Sequence, residues 1–170
     1  MKVIFLDIDG VLNSGALFMR FHEQHGRVCG SGGMHEQLDP EAIQRLNSLT
    51  EQTGAKIVLS STWRMHYGSA EEAQEFFWRH DVEAPFVGMT DTEWSPWDEH
   101  FGDRGQQIDR WLKASLATVS SFVILDDDSD MAPHMDRLVR TSYQTGLTDC
   151  EVDKAIAMLN KEETNDGEDQ

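Results

Sequence analysis

Apolar positions along this chain follow two rhythms. Short unbroken runs at 2–6 (Lys-Val-Ile-Phe-Leu), 56–59 (Lys-Ile-Val-Leu) and 122–125 (Phe-Val-Ile-Leu) are rich in β-formers and too short for helices. They read as strands buried on both faces, and each stops abruptly in polar residues that begin with Asp7, Ser60 and Asp126. Elsewhere apolar residues recur every three or four positions. Ile43, Leu46 and Leu49 predict a helix that Asp39 and Pro40 open and Gly54 closes. Ser69 and Glu72 fit a capping box for a helix over 69–80, and Ile108, Trp111, Leu112 and Leu116 mark another from Arg104. Thr148 and Glu151 form a further capping box, ahead of a helix whose Val152, Ile156 and Leu159 share a face. Shorter strands are expected at 86–88 and 138–141.

Strands alternating with helices predict an α/β fold: a Rossmann-like parallel sheet with helices on both faces, because parallel strands need crossover connections. In such open sheets ligands bind beyond the carboxyl ends of the strands, where the polar residues noted above fall. Residues 14–38 and 90–103 show no clear periodicity and are expected to be irregular insertions of the kind that serve as lids or binding loops. The 170 residues suit one domain, expected over 1–160. Residues 161–170 set Glu162, Glu163, Asp166, Glu168 and Asp169 against Lys161, the composition of an acidic, disordered tail.

Charge narrows the function. A formal net charge of −17 argues against a broad grip on long nucleic acid, which needs clustered Lys and Arg to displace counterions. A bound cation would relieve part of that charge. No apolar run is long enough to span a bilayer, so no membrane partner is expected. Asp7 and Asp9 interrupt the N-terminal apolar run too early for a signal peptide, and Cys29 and Cys150 are expected to be reduced thiols in a cytoplasmic protein.

The candidate chemistry begins at Asp7-Ile8-Asp9-Gly10-Val11. Carboxylates two residues apart point to one side of an extended backbone, and they repel unless a cation or a proton joins them. An isolated Asp-x-Asp-Gly can equally form a turn or cap a helix. This one is accompanied by Asp126, Asp127, Asp128 and Asp130 after a second strand and by Ser60-Ser61-Thr62 after a third, a supply of hard oxygen ligands and hydroxyls suited to a metal and a phosphate.

On these residues the chain resembles the haloacid dehalogenase-like (HAD) phosphohydrolase superfamily over roughly 2–160. The resemblance implies that Asp7 is a nucleophile forming an aspartyl-phosphate, and that Asp9 protonates the leaving oxygen and then activates water. It implies that Ser60, after Ile57-Val58-Leu59, holds a phosphoryl oxygen; Ser61 and Thr62 are adjacent competitors, and Ser61 is a candidate substrate contact. Arg104, just before Gly105, fits the basic residue that balances charge on the nucleophile, where family members more often use Lys. Arg64 is a second basic candidate, able to bind phosphate bidentately. Mg2+ would be held by Asp7, the backbone carbonyl of Asp9 and Asp126, with Asp127 and Asp128 competing for the second position of the acidic pair and Asp130 at the further spacing some members use. The short insertions suggest little or no cap.

Phe-Leu-Asp-Ile-Asp-Gly-Val-Leu-Asn, Ser-Ser-Thr-Trp-Arg and Arg-Gly-x-x-Ile-x-x-Trp-Leu are also similar to the phosphatase domains of nucleic-acid end-repair proteins, including polynucleotide kinase-phosphatases. The expected activity is Mg-dependent hydrolysis of a phosphomonoester on a nucleotide or an oligonucleotide end. A phosphatase of a small non-nucleotide metabolite and a non-catalytic phosphate- or protein-binding module are the alternatives. Two further groups invite functional readings. His22, His25, Cys29 and His35 could ligate zinc, though their irregular spacing suits a loop better. Trp94, Trp97 and Phe101 could stack on a base, though loop packing is the simpler use.

Overall fold

Strand β1 (Lys2–Leu6) lies at the middle of a 5-stranded sheet in the computed structural model, which describes residues 1–25, 37–91 and 103–161. The other strands are β2 (Lys56–Leu59), β3 (Phe86–Met89), β4 (Ser121–Asp126) and β5 (Leu138–Arg140), in the order β3-β2-β1-β4-β5. Every pairing is parallel, with Leu6 opposite Leu59 on one side and Leu125 on the other. Alternation along β1 divides the core. Ile4 and Leu6 face one layer with Ile57, Leu59, Val123 and Leu125, while Val3 and Phe5 face the other with Val58 and Ile124.

Helices cover both layers, as the alternation of elements predicts. The first is covered by α2 (Pro40–Thr53), α3 (Ala70–Trp78) and α5 (Asp149–Asn160) through Leu46, Leu49, Phe77, Val152 and Leu159. The second is covered by α4 (Arg104–Ala114), through Ile108 with Trp111 and Leu112 beside it. The caps hold where they are expected, but α4 stops at Ala114, so Leu116, expected on its apolar face, lies fully exposed beyond it. Asp39 accepts from Glu41 N at 3.0 Å, and Gly54 closes α2 in the left-handed region at φ +67°, donating to Thr50 O. Ser69 Oγ accepts from Glu72 N at 3.2 Å, and Glu151 Oε2 accepts from Thr148 N at 3.2 Å.

Residues 14–38 depart from the expectation of an irregular segment, because Gly15–His25 is an α-helix, α1. Ser14 starts it: the hydroxyl accepts from Leu17 N at 3.2 Å and the carbonyl accepts from Phe18 N. None of its described side chains is fully buried; Leu17, Phe18 and Phe21, set three and four positions apart, are half-buried on it. His22 is exposed on this helix. Cys29, His35, Trp94, Trp97, Phe101 and the acidic tail beyond Lys161 lie outside the described residues. Cys150 is an exposed free thiol. Among the described residues no helix is long and apolar enough to cross a membrane.

Candidate active site

The strand order reverses beside β1, where β2 lies on one side and β4 on the other, and the carboxyl ends of these strands open a crevice. Asp7 follows β1 and continues its ladder by donating from its backbone N to Leu125 O at 3.0 Å. Asp126 ends β4. The two carboxylates therefore project from neighbouring strands, and both are buried, at 2% and 0% exposure. Asp127 joins them: one oxygen from each of Asp7, Asp126 and Asp127 lies within 4.8 Å of the others. Gly10 makes room, since its φ is +75° and a Cβ there would come within 2.4 Å of Asp127 Cγ.

Arg104, the first residue of α4, reaches into this cluster. Its Nη1 lies 3.1 Å from Asp7 Oδ2 and also contacts Asp126 Oδ2 directly. The approach depends on Gly105, whose N donates to Asp130 O at 3.1 Å and where a Cβ would meet Ala132 O at 2.2 Å. The neighbour is backbone and cannot rotate away. Gly105→Ala is therefore expected to push α4 off the loop after β4 and to cost about 1–3 kcal/mol of stability in urea denaturation. Parent-like stability would show the contact to be looser than the geometry requires.

One guanidinium cannot neutralise two buried carboxylates. Burial works against the charge of Arg104, yet Asp7 and Asp126 raise its pKa further above the ordinary value, so it stays a cation. Burial raises Asp7 despite Arg104 and Ser61, and burial together with the Asp7 charge pushes Asp126 up to about 7. Asp127 is also raised, chiefly by burial. The remaining negative charge, offered by oxygens that converge, suits a hard divalent cation. Asp7, Asp126 and Asp127 fit such an ion.

The end of β2 supplies the expected hydroxyls. Ser60 N makes the last ladder bond to Leu6 O at 3.0 Å, and its Oγ is buried without a hydrogen-bond partner. A 3-10 turn (Thr62–His66) begins just beyond, and it sets the Ser61 hydroxyl on the Asp7 side, where it favours the Asp7 anion while accepting from Trp63 N at 3.3 Å. The hydroxyl touching Asp7 is thus that of Ser61 rather than Ser60, because the chain turns between them.

Arg64 does not offer the free fork expected for a phosphate. It is buried at 5% exposure, with Nε donating to Asp91 O, Nη1 to Ser60 O and Ser61 O, and Nη2 to Gln107 Oε1, all at 2.8–3.1 Å. Burial and the nearby Arg104 charge lower its pKa. Its guanidinium ties the end of β2 to residue 91 and to α4.

Asp9 stands exposed at the lip of the crevice. Its Oδ1 accepts from Asn13 Nδ2 at 2.7 Å and its Oδ2 from Trp63 Nε1 at 3.0 Å. Its side chain lies outside the three-carboxylate group, and so do those of Asp128 and Asp130. Asp128 N donates to Asp126 Oδ1, while its own Oδ1 accepts from Ser129 N. Asp130, a candidate metal ligand from its spacing, is instead exposed and accepts from Arg104 N at 3.3 Å, capping α4. Asn13, Trp63 and Gln107 were not expected as site residues; Asn13 and Trp63 lie in the Phe-Leu-Asp-Ile-Asp-Gly-Val-Leu-Asn and Ser-Ser-Thr-Trp-Arg stretches, but nothing local ties either side chain to Asp9.

A buried carboxylate, an adjoining cation, a hydroxyl and a second carboxylate at the rim form a set capable of nucleophilic displacement at an electrophile rich in negative oxygen. Compared with protein families, residues 3–152 match the model of the HAD domain in Swiss Army Knife RNA repair proteins. A comparison with curated proteins found no match.

Proposed function

Because the chain belongs to the family of HAD domains in Swiss Army Knife RNA repair proteins, we propose that it is a Mg-dependent phosphomonoesterase that forms an aspartyl-phosphate on Asp7 and acts on a terminal phosphate of RNA or on a nucleotide. The observation that carries this reading is the convergence of Asp7, Asp126 and Asp127 within 4.8 Å beside the Arg104 guanidinium. Mg2+ would be held by these carboxylates, with the Asp9 backbone carbonyl as a further oxygen. When bound it supplies charge that offsets repulsion between the Asp7 carboxylate and a phosphate dianion.

In the first half-reaction an oxygen of Asp7 bonds to phosphorus and the ester P–O bond breaks. The bonding pair leaves on the ester oxygen, which takes a proton from Asp9. Arg104 stands where it can hold Asp7 in line and meet charge on the phosphoryl oxygens. Ser61, with Ser60 beside it, is placed to donate to one of those oxygens. In the second half-reaction Asp9 takes a proton from water as the water oxygen attacks phosphorus, releasing phosphate and restoring Asp7. Arg64 acts from behind, holding the carbonyls of Ser60 and Ser61.

The rim favours a chain end over the length of a polynucleotide. Asp9, Asp91, Asp128 and Asp130 are all exposed there, and a run of phosphates would meet their repulsion. The test is phosphate release from 5′- and 3′-phosphorylated RNA and DNA oligonucleotides, nucleoside monophosphates and sugar phosphates. Turnover with Mg2+, its loss on chelation and a preference for RNA ends are expected. Absence of phosphate release from the whole panel would reject the hydrolase reading.

A further inference from the structure

A single short segment touches both members of the Asp7/Asp9 pair. The Ser61 hydroxyl stands on the Asp7 side and favours its anion, and two residues later the Trp63 indole N–H donates to Asp9. The indole has little freedom to turn: Trp63 is 3% exposed and packs against Phe76 and Phe77 of α3, with ring centroids 6.2 and 6.5 Å away. The second donor to Asp9 is equally fixed. Asn13 is 1% exposed, and its Oδ1 accepts from Gly10 N at 3.1 Å, which directs its Nδ2 to Asp9.

The two rigid donors therefore seize opposite oxygens of a carboxylate that is otherwise exposed. Two fixed oxygens define the carboxylate plane, and an exposed Asp without them would sample several rotamers. Each oxygen accepts one of these bonds and keeps a lone pair to carry a proton.

We propose that Trp63 is a positioning residue for proton delivery: its indole N–H, together with the Asn13 amide, aims Asp9 at the leaving oxygen of the substrate. The inference rests on the function proposed above, in which Asp7 forms a bond to phosphorus, the ester bond breaks, and the departing oxygen takes the Asp9 proton. A tryptophan that merely fills the core would slow all substrates alike. One that aims the acid matters most for esters whose leaving oxygen is strongly basic and needs the proton.

The experiment compares kcat/KM for an alkyl phosphomonoester and for p-nitrophenyl phosphate, whose phenolate leaves without protonation. Both are measured on one preparation, so the folded fraction cancels in their ratio. General acid catalysis contributes about 10²–10⁴-fold, and Trp63→Phe is expected to lose about tenfold or more on the alkyl ester with less than about threefold on the aryl ester. Asn13→Ala, withdrawing the other donor, should shift the ratio the same way. If Trp63→Phe does not fold, 3-benzothienylalanine at position 63 keeps the ring shape and removes only the N–H. Equal losses on both esters would overturn the inference. Asp9→Asn separates the two levels: a selective loss there with none at Trp63 overturns the positioning role alone, whereas an unselective Asp9→Asn removes the acid role and this inference with it.

Discussion

Replacing Asp7 by Asn is expected to lower phosphate release by at least about 10³-fold, because the amide keeps the shape of the side chain and loses the nucleophilic oxygen anion. The loss should not come from unfolding. Asp7 is buried with its pKa raised by that burial, and it repels Asp126, so an uncharged residue relieves strain that the folded protein otherwise carries. Arg104 keeps a partner in Asp126. The variant should therefore melt no earlier than the parent above neutral pH. Acid quenching during turnover of a labelled phosphoester should trap label on the parent and none on Asp7→Asn. Unchanged turnover in the variant would remove Asp7 from the mechanism.

Asp126→Asn should separate stability from activity in opposite directions. The folded pKa of Asp126, about 7, stands above the ordinary 3.8, chiefly through burial and then through the Asp7 charge. Between those values the folded chain binds more protons than the unfolded chain. Stability without divalent ions therefore falls as pH rises through that window, and what is present below it is lost above it. Asp7 and Asp127 shift in the same direction and add to the slope. Asn at 126 removes the largest part of the penalty, so the variant should gain stability of the order of a few kcal/mol at alkaline pH and show a flatter melting profile in EDTA. It should lose Mg-dependent turnover by about 10²-fold or more, having lost a carboxylate oxygen from the proposed ion site. Melting temperatures across this pH range check the first half. A parent protein that grows more stable from acid to alkaline pH in EDTA would contradict it.

The expected and observed structures part company at identifiable places. Ser14 caps α1 with a side-chain bond to Leu17 N, yet the helix is short and its apolar Leu17, Phe18 and Phe21 are only half-buried. A cap ahead of so short a stripe is a weak signal in a sequence. Ser60 and Ser61 are neighbours of the same type, and only the turn that follows decides which hydroxyl meets Asp7. Spacing from Asp126 leaves Asp127, Asp128 and Asp130 open as companions. Gly10 admits Asp127 to the group, while Arg104 N engages Asp130.

Local pattern along the chain was enough for the parallel sheet, its covering helices and the place of Asp7 and Asp126 at the carboxyl ends of strands. Those outcomes follow from apolar runs, caps and periods confined to a few neighbouring positions. It took the packing of distant elements for Arg64 to grip backbone carbonyls, for Asp127 to complete the carboxylate group, and for Trp63 to hold Asp9 across 54 positions of chain. A hydrogen bond is made by whichever donor the packed elements bring within about 3 Å with the right direction, and that distance is set by strand order and helix contacts rather than by local composition.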